Sequence, residues 1–327
     1  MNARMSNVRA TAAWLLLGST VLVMGRVPLR GAGQVPTGLN AADAAEADRL
    51  LKGTIDIHVH TLPDSAARSV DGIEAAKQAK AKGMRAIVLK NHYDATAGLA
   101  YLARKEAPGI EIFGGIDLDL PTGGMNTFAV EHMTEVSGGF GRVVWMSTFD
   151  AENMARYEKK DRPVVHVAKN GGLLPETKAV IATIAKHKLV LATGHVSPAE
   201  GLLLLREGHR QGVEHMVVTH PLNLPVFMSV EEMQEAAKIE GVFLEFVGGS
   251  MVLPDAKKIT DKVAETIRKV GIEHSILSSD LGQKANPLPA EGFGQYLLEL
   301  KRRGFTEQEL DTMSRKNPAR LLGLPVQ

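Results

Sequence analysis

The chain has 327 residues, a formal net charge of +1, 44% hydrophobic and 23% charged residues, and no cysteine. That length admits one large domain or two ordinary ones, with enough apolar material for a sizeable core. With no basic block and only 5% aromatic residues, the composition argues against nucleic-acid binding, and the lack of cysteine excludes disulfides, thiolate ligands and cysteine nucleophiles. Any metal must sit among imidazole, carboxylate or modified-lysine ligands, which suits zinc, manganese, iron or nickel.

At the N-terminus, Arg4 and Arg9 precede an uncharged run over residues 10–24, and Arg26 and Arg30 follow it. An apolar stretch of about 15 residues behind a basic start fits a secretory signal better than a spanning helix, which needs about 20. Residues 1–33 are therefore expected to be a signal peptide or, if uncleaved, a signal anchor. The small residues Gly31-Ala32-Gly33 arrive late for cleavage. Export to the periplasm or the medium is expected, where a cysteine-free chain avoids wrong disulfides. Attachment to the membrane through this segment is the alternative. Residues 34–52 read as a linker and leading helix, and 53–327 as one domain.

From residue 53 onward short runs rich in Val, Ile and Leu alternate with segments of helical spacing. The predicted strands are 54–60 (TIDIHVH), 84–90 (MRAIVLK), 110–117 (IEIFGGID) and 142–147 (RVVWMS). Four more follow at 189–195 (LVLATGH), 215–220 (HMVVTH), 242–247 (VFLEFV) and 275–280 (SILSSD). Helical spacing appears over 72–81, 95–106, 176–187, 198–211, 230–239 and 256–270, with glycine stops at Gly83, Gly212, Gly241 and Gly271. Residues 163–174 (PVVHVAKNGGLL) predict a small hairpin turning at Asn170-Gly171, inserted after the fourth strand. Residues 306–322 read as closing helices. Eight strands in strict alternation with helices give a closed barrel or an open doubly wound sheet. No G-x-G-x-x-G or P-loop is present, which weakens the nucleotide-binding form of the open sheet.

The polar residues are the informative ones. A strand buried on both faces should be apolar inside, yet the first ends in His58-Val59-His60, whose period of two puts both imidazoles on one side. The fifth ends in His195, the sixth in His220 and the eighth in Asp280. All lie at C-terminal strand ends, where barrel enzymes carry their sites. A lone buried histidine is usually a satisfied core residue, but this many imidazoles at one end would leave many donors and acceptors in need of partners.

The order of these residues resembles the amidohydrolase superfamily, from about Ile55 to the closing Asn317-Pro318-Ala319-Arg320. The resemblance implies a (β/α)8 TIM-type barrel and one or two divalent metal ions, zinc foremost, with Mn2+, Fe2+ or Ni2+ as alternatives. It carries His58, His60, His195, His220 and Asp280 onto the metal positions, with Asp280 also the catalytic acid–base. The implied reaction is hydrolysis of an amide, ester, lactone or phosphoester bond of a small molecule. The fourth strand departs from the pattern, because it offers no lysine or glutamate to bridge two ions. Lys90, at the end of the second strand, is the bridging candidate as a carbamate. The competing reading is a plain ammonium that pairs with Asp280 or holds an anionic substrate group.

His92, Tyr93 and His166 are second-tier substrate contacts. Asp117 and Asp119, and Asp150 and Asn153, are pocket groups or helix caps, while Glu245 is a pocket acid or half of a structural ion pair. His132, His187, His209 and His274 read as non-functional. A metal-dependent decarboxylase or lyase, and a non-catalytic metal- or ligand-binding barrel, compete with the hydrolase. The expected partners are a small-molecule substrate and a second copy of the chain, with the membrane reached only through the N-terminal segment.

Overall fold

Eight short parallel strands form one sheet in the order in which they occur in the chain. They are β1 Ile55–His60, β2 Ala86–Lys90, β3 Glu111–Asp117, β4 Gly141–Trp145, β5 Val190–Ala192, β6 Met216–Val218, β7 Val242–Val247 and β8 Ser275–Ser278. The first and last strands meet. Val59 bridges Leu281 in parallel, the Asp280 N–H donates to the His58 carbonyl at 3.0 Å, and the His60 N–H donates to the Leu281 carbonyl at 2.9 Å. Closure leaves no strand edge unpaired, and the expected (β/α)8 barrel is the fold. The computed structural model describes residues 38–249 and 255–326, all in the unit Gln34–Gln327. The expected signal or anchor at 1–33 lies outside the described residues. Among the described residues, no helix is long and apolar enough to cross a membrane.

Among the described residues, ten helices precede the closing segment: α1 Ala41–Leu51, α2 Gly72–Ala81, α3 Ala97–Glu106, α4 Thr127–Glu135, α5 Glu152–Glu158, α6 Pro175–Lys186, α7 Pro198–Arg210, α8 Val230–Ala237, α9 Ala256–Val270 and α10 Pro289–Arg302. Ser197 and Ser229 start α7 and α8 as capping boxes, with Glu200 and Glu232 returning the bond. The closing segment divides into Glu307–Asp311, a π-helical turn Thr312–Lys316, and Asn317–Leu321. Its Asn317 side chain donates to the Ile272 and Ser275 carbonyls at 3.0 and 2.7 Å, which ties it to the start of β8. The predicted hairpin is present but smaller, with Ala168–Lys169 pairing antiparallel to Gly172–Leu173. Its turn residues Asn170 and Gly171 have φ of 52° and 77°, as a type I′ turn requires.

The interior of the barrel is one apolar cluster shared by strands all round the sheet, among them Ile57, Val88, Phe113, Trp145 and Val217. Ala319, Leu321 and Leu322 of the closing segment join it. Ile55 and Ile57 belong to this interior, whereas Val59 belongs to the layer between sheet and helices. The switch occurs where the β1–β2 register shifts between Asp56 and Val59. A bulge flips the phase of the side chains, and here it turns His58 and His60 inward above the apolar plug.

Candidate metal centre

Three of the predicted site residues stand beyond the strands that were expected to end in them. β5 stops at Ala192, β6 at Val218 and β8 at Ser278, so His195, His220 and Asp280 lie in the turns that follow. The sheet ladder gives way there to local bonds. The Gly194 N–H donates to Thr219 Oγ1 and the His195 N–H to the Ser147 carbonyl, both at 3.0 Å. Gly194 has φ of 66°, and a Cβ there would collide with the Met146 carbonyl, so only glycine fits. His220 and Asp280 themselves have positive φ, 26° and 49°. Non-glycine residues rarely adopt such backbone, and it concentrates where a side chain must be aimed at a functional site.

These turns bring the side chains together. His60 Nε2 is 3.2 Å and His58 Nε2 3.3 Å from Asp280 Oδ1. His195 Nε2 and His220 Nε2 face each other at 3.2 Å. The His58 ring centroid is 5.0 Å from that of His60 and 6.0 Å from that of His220. All five residues line one cavity of about 430 Å³, together with His92 and Phe149 among others.

The donor set fits a divalent ion. Ligand atoms about 2.0–2.1 Å from a tetrahedral zinc stand about 3.3 Å apart, close to the three separations between ligating atoms found here. Of the facing atoms, His58 Nε2 is buried with no hydrogen-bond partner, an arrangement that is costly when a polar atom is left so. Burial holds the His60 and His195 imidazoles well below their ordinary pKa and lowers that of His220, so their lone pairs are free at neutral pH. For His58 burial acts the same way, but Asp280 and Glu245 outweigh it and raise the value. Burial would raise the Asp280 carboxyl, yet the surrounding imidazoles, His58 foremost, hold it well below the usual carboxylate range.

Glu245, in β7, is the partner that orients His58. Its Oε1 accepts from His58 Nδ1 at 3.1 Å and from the Ser278 hydroxyl at 2.6 Å, and its Oε2 accepts from the His220 N–H at 3.2 Å. An acceptor on Nδ1 fixes the proton there and leaves Nε2 bare, facing the cavity. Asp56 holds the same region from behind, accepting from the backbone N–H groups of His58 and Ser279 at 3.1 and 3.0 Å. Burial pushes its carboxyl up to about 6.

Lys90 is fully buried, and its Nζ lies 3.1 Å from Asp117 Oδ2 and 5.2 Å above the Trp145 ring. The expected pairing with Asp280 is therefore corrected. Lys90 ends β2, and its adjacent strand β3 supplies Asp117, whereas Asp280 follows β8 on the far side of β1. Burial raises the Asp117 carboxyl to about 6, with Lys90 opposing the rise.

His58, His60 and Asp280 form one group close enough to bind an ion, and His92, Asp117 and Asp119 a second, but in the second both oxygens of Asp119 are already committed. Asp119 Oδ1 accepts from the Ser147 hydroxyl at 2.6 Å and from the N–H groups of Thr148 and Asp150 at 2.7 and 3.2 Å. Its Oδ2 accepts from the Thr148 hydroxyl at 2.5 Å and the Phe149 N–H at 3.1 Å. Asp119 thus anchors the loop after β4, while Asp117 Oδ2 faces Lys90 Nζ and accepts from the Thr148 hydroxyl at 2.9 Å, its Oδ1 remaining unpaired. His92 bonds Thr148 Oγ1 at 2.8 Å, stacks on Phe149 at 3.6 Å, and lines the cavity.

The other second-tier candidates are not brought to the cavity. Tyr93 is half-buried, with its ring edge-on to Phe149, and does not line the cavity. His166 is exposed on the hairpin, bonds Glu152 Oε2 at 2.9 Å, and lines a separate groove. Asn153, read from the sequence as a pocket group or helix cap, ties the mouth together from outside the cavity lining, and Arg68 was not anticipated. Asn153 donates to the His195 and Pro225 carbonyls at 3.1 and 3.0 Å and ties two loops of the mouth together. Arg68 lines the cavity from the loop after β1. Arg68 sits in no periodic pattern, so the sequence carried no signal for its role.

The model of a family of unknown function, DUF6282, matches residues 53–245, more than half of the chain. No curated protein matches the sequence. Among solved structures the chain is similar to an amidohydrolase from Pseudomonas aeruginosa, with 14% identity, 85% of this chain and 98% of that chain covered, and a TM-score of 0.58. An amidohydrolase from Burkholderia multivorans with bound zinc gives 14% identity, 83% and 99% coverage and 0.58. A protein engineered for organophosphate hydrolysis from a weak promiscuous lactonase template gives 18% identity, 85% and 97% coverage and 0.57. At such identities the likeness is one of fold. The chain belongs to the family of unknown function DUF6282, and it has the barrel fold of these amidohydrolases.

Proposed function

We propose that this chain is a metal-dependent hydrolase that cleaves an amide, ester, lactone or phosphoester bond of a small molecule. The observation that carries the reading is that His58, His60 and Asp280 lie within ligand reach of one another in a cavity that His195 and His220, 3.2 Å apart, also line. The four imidazoles would hold a divalent ion, zinc foremost, with Asp280 beside it. Such an ion supplies a nucleophile from water at neutral pH and polarises the bond under attack.

The chain's own residues do the rest. Asp280 stays ionised amid the imidazoles, accepts the proton of the attacking water and returns it to the leaving group. Glu245 keeps His58 in the tautomer with Nε2 bare. Asn153 and Asp119 fix the loops that carry His195 and Phe149, and the buried walls limit access of bulk water. Lys90 stays unmodified, because a carbamate on its Nζ would place a second anion against Asp117 in a fully buried site. This reading gives one ion per chain.

The test is chelator-treated protein reloaded with Zn2+ or Mn2+ and assayed against esters, lactones, amides and phosphoesters, beside His195→Ala. Turnover that returns with metal, and is lost in the variant, supports the proposal. No turnover in any class refutes it, and release of CO2 from a carboxylic acid would replace it with a lyase.

A further inference from the structure

We propose that Arg68 is the anchor for a carboxylate on the substrate, so that the class acted on is small carboxylate-bearing molecules; this rests on the hydrolase reading for the bond that is broken, but not for the binding itself. The Arg68 side chain is only 4% exposed, yet it lines the same cavity as the imidazoles. Its ion pair with Asp64 uses one prong, Nε to Oδ2 at 2.6 Å. The other Asp64 oxygen is occupied locally, accepting from the Ala66 N–H at 3.2 Å and the Ser65 hydroxyl at 3.4 Å. Arg68 Nη2 is buried with no acceptor. A guanidinium presents its donors as a planar fork matched to two oxygens, so a buried arginine with an unused arm at a cavity wall is built to receive an oxyanion.

The placement couples this arm to the chemistry. The Ser69 N–H donates to the Gly282 carbonyl at 2.8 Å, and Arg68 bridges Gln283, so the Arg68 loop is fastened to the turn that carries Asp280. Phe149, Met154 and Leu224 supply apolar wall. A cavity of about 430 Å³ is at the small end of ligand sites. It suits a compact ligand with its carboxylate on Arg68, an apolar body, and the scissile group over the imidazoles.

Binding of N-acetyl amino acids and of their carboxamides, measured by calorimetry, isolates the group in question. Both untreated and chelator-treated protein are used, since an ion alone also attracts carboxylates. The carboxylate form is expected to bind about ten- to a hundredfold more tightly, with or without metal, the worth of a charged hydrogen-bonded contact. Arg68→Gln should abolish that preference and leave carboxamide binding within about twofold. Because the variant strands buried Asp64, the double variant Asp64→Asn/Arg68→Gln is measured as well and should behave alike. A preference that survives in both variants, or is absent from the parent protein, overturns the proposal, as does displacement of the probe by methylphosphonate but not by acetate. Carboxylate binding that depends on Arg68 without hydrolysis of any probe leaves this proposal standing and counts against the hydrolase.

Discussion

Replacing Glu245 by glutamine tests the site through a residue that lines no part of the cavity. The carboxylate accepts three hydrogen bonds, from His58 Nδ1, the Ser278 hydroxyl and the His220 N–H. Burial would raise its pKa, but His58 and His220 outweigh burial and lower it, so it is ionised at neutral pH. An amide of the same shape can accept on one side only. With its oxygen toward His58, its NH2 confronts the His220 N–H, donor against donor. Flipped, the NH2 faces His58 Nδ1, drives the proton to Nε2, and removes the lone pair that would bind metal. Either arrangement damages one ligand. Loss of a partner of this kind typically costs 10–100-fold in metal affinity, about 1.4–2.7 kcal/mol. One unsatisfied buried donor should lower the stability of the metal-free protein by about 1–3 kcal/mol. Competition with a chromophoric chelator gives the first quantity and urea denaturation the second. Unchanged metal affinity in a variant that has lost stability would refute the assignment of Glu245 as the orienting partner of His58.

Other outcomes follow from the same geometry. Asp280→Asn should lower turnover by about 10²–10⁴-fold, the usual worth of a general acid–base, with circular dichroism unchanged; turnover within threefold of the parent would contradict its role. Lys90→Met should destabilise the fold by about 3–5 kcal/mol by stranding Asp117, and metal content of the parent protein should stay at one ion per chain whether or not bicarbonate is added. Two ions with bicarbonate and one without would restore the carbamate. Asp119→Ala should loosen the loop after β4, costing about 3–5 kcal/mol for several buried donors left unpaired, and proteolysis near Thr148 reads it. Metal-free protein should lose stability as pH falls below about 6.5. His60, His92, His195 and His220 have lowered values, so the unfolded chain takes up protons there that the folded chain refuses. Asp56 and Asp117, near 6 when folded, and the raised His58 offset part of this. Two net protons give on the order of 2–3 kcal/mol per pH unit, and denaturation at pH 7 and 5.5 checks the sign.

The barrel was legible because each strand is a short Val/Ile/Leu run buried on both faces, which survives without any knowledge of neighbours. The strand ends were not. Residues 194 and 219 stand where the strands would continue, but their N–H groups go to the hydroxyls of Thr219 and Thr193 rather than along the ladder. A period of two placed His58 and His60 on one side but could not tell which side, since the bulge after Asp56 decides it. The sequence named the residues that line the cavity at the strand ends because histidine is rare in buried strands. Of the readings open for Lys90, a pair with Asp280 is replaced by one with Asp117, because adjacency between strands is a property of closure. Arg68 lies in the loop after β1, where only the fold assigns a neighbour, and Asn153 stands in the first turn of α5.

Anomalous scattering at the zinc edge from crystals of zinc-loaded protein tests the central claim most directly. The account predicts one peak per chain, about 2.0–2.2 Å from side-chain atoms of His58, His60 and Asp280 or of the adjoining His195 and His220. A peak at His92, Asp117 and Asp119 instead, or no peak within reach of His58 and His60, would contradict it.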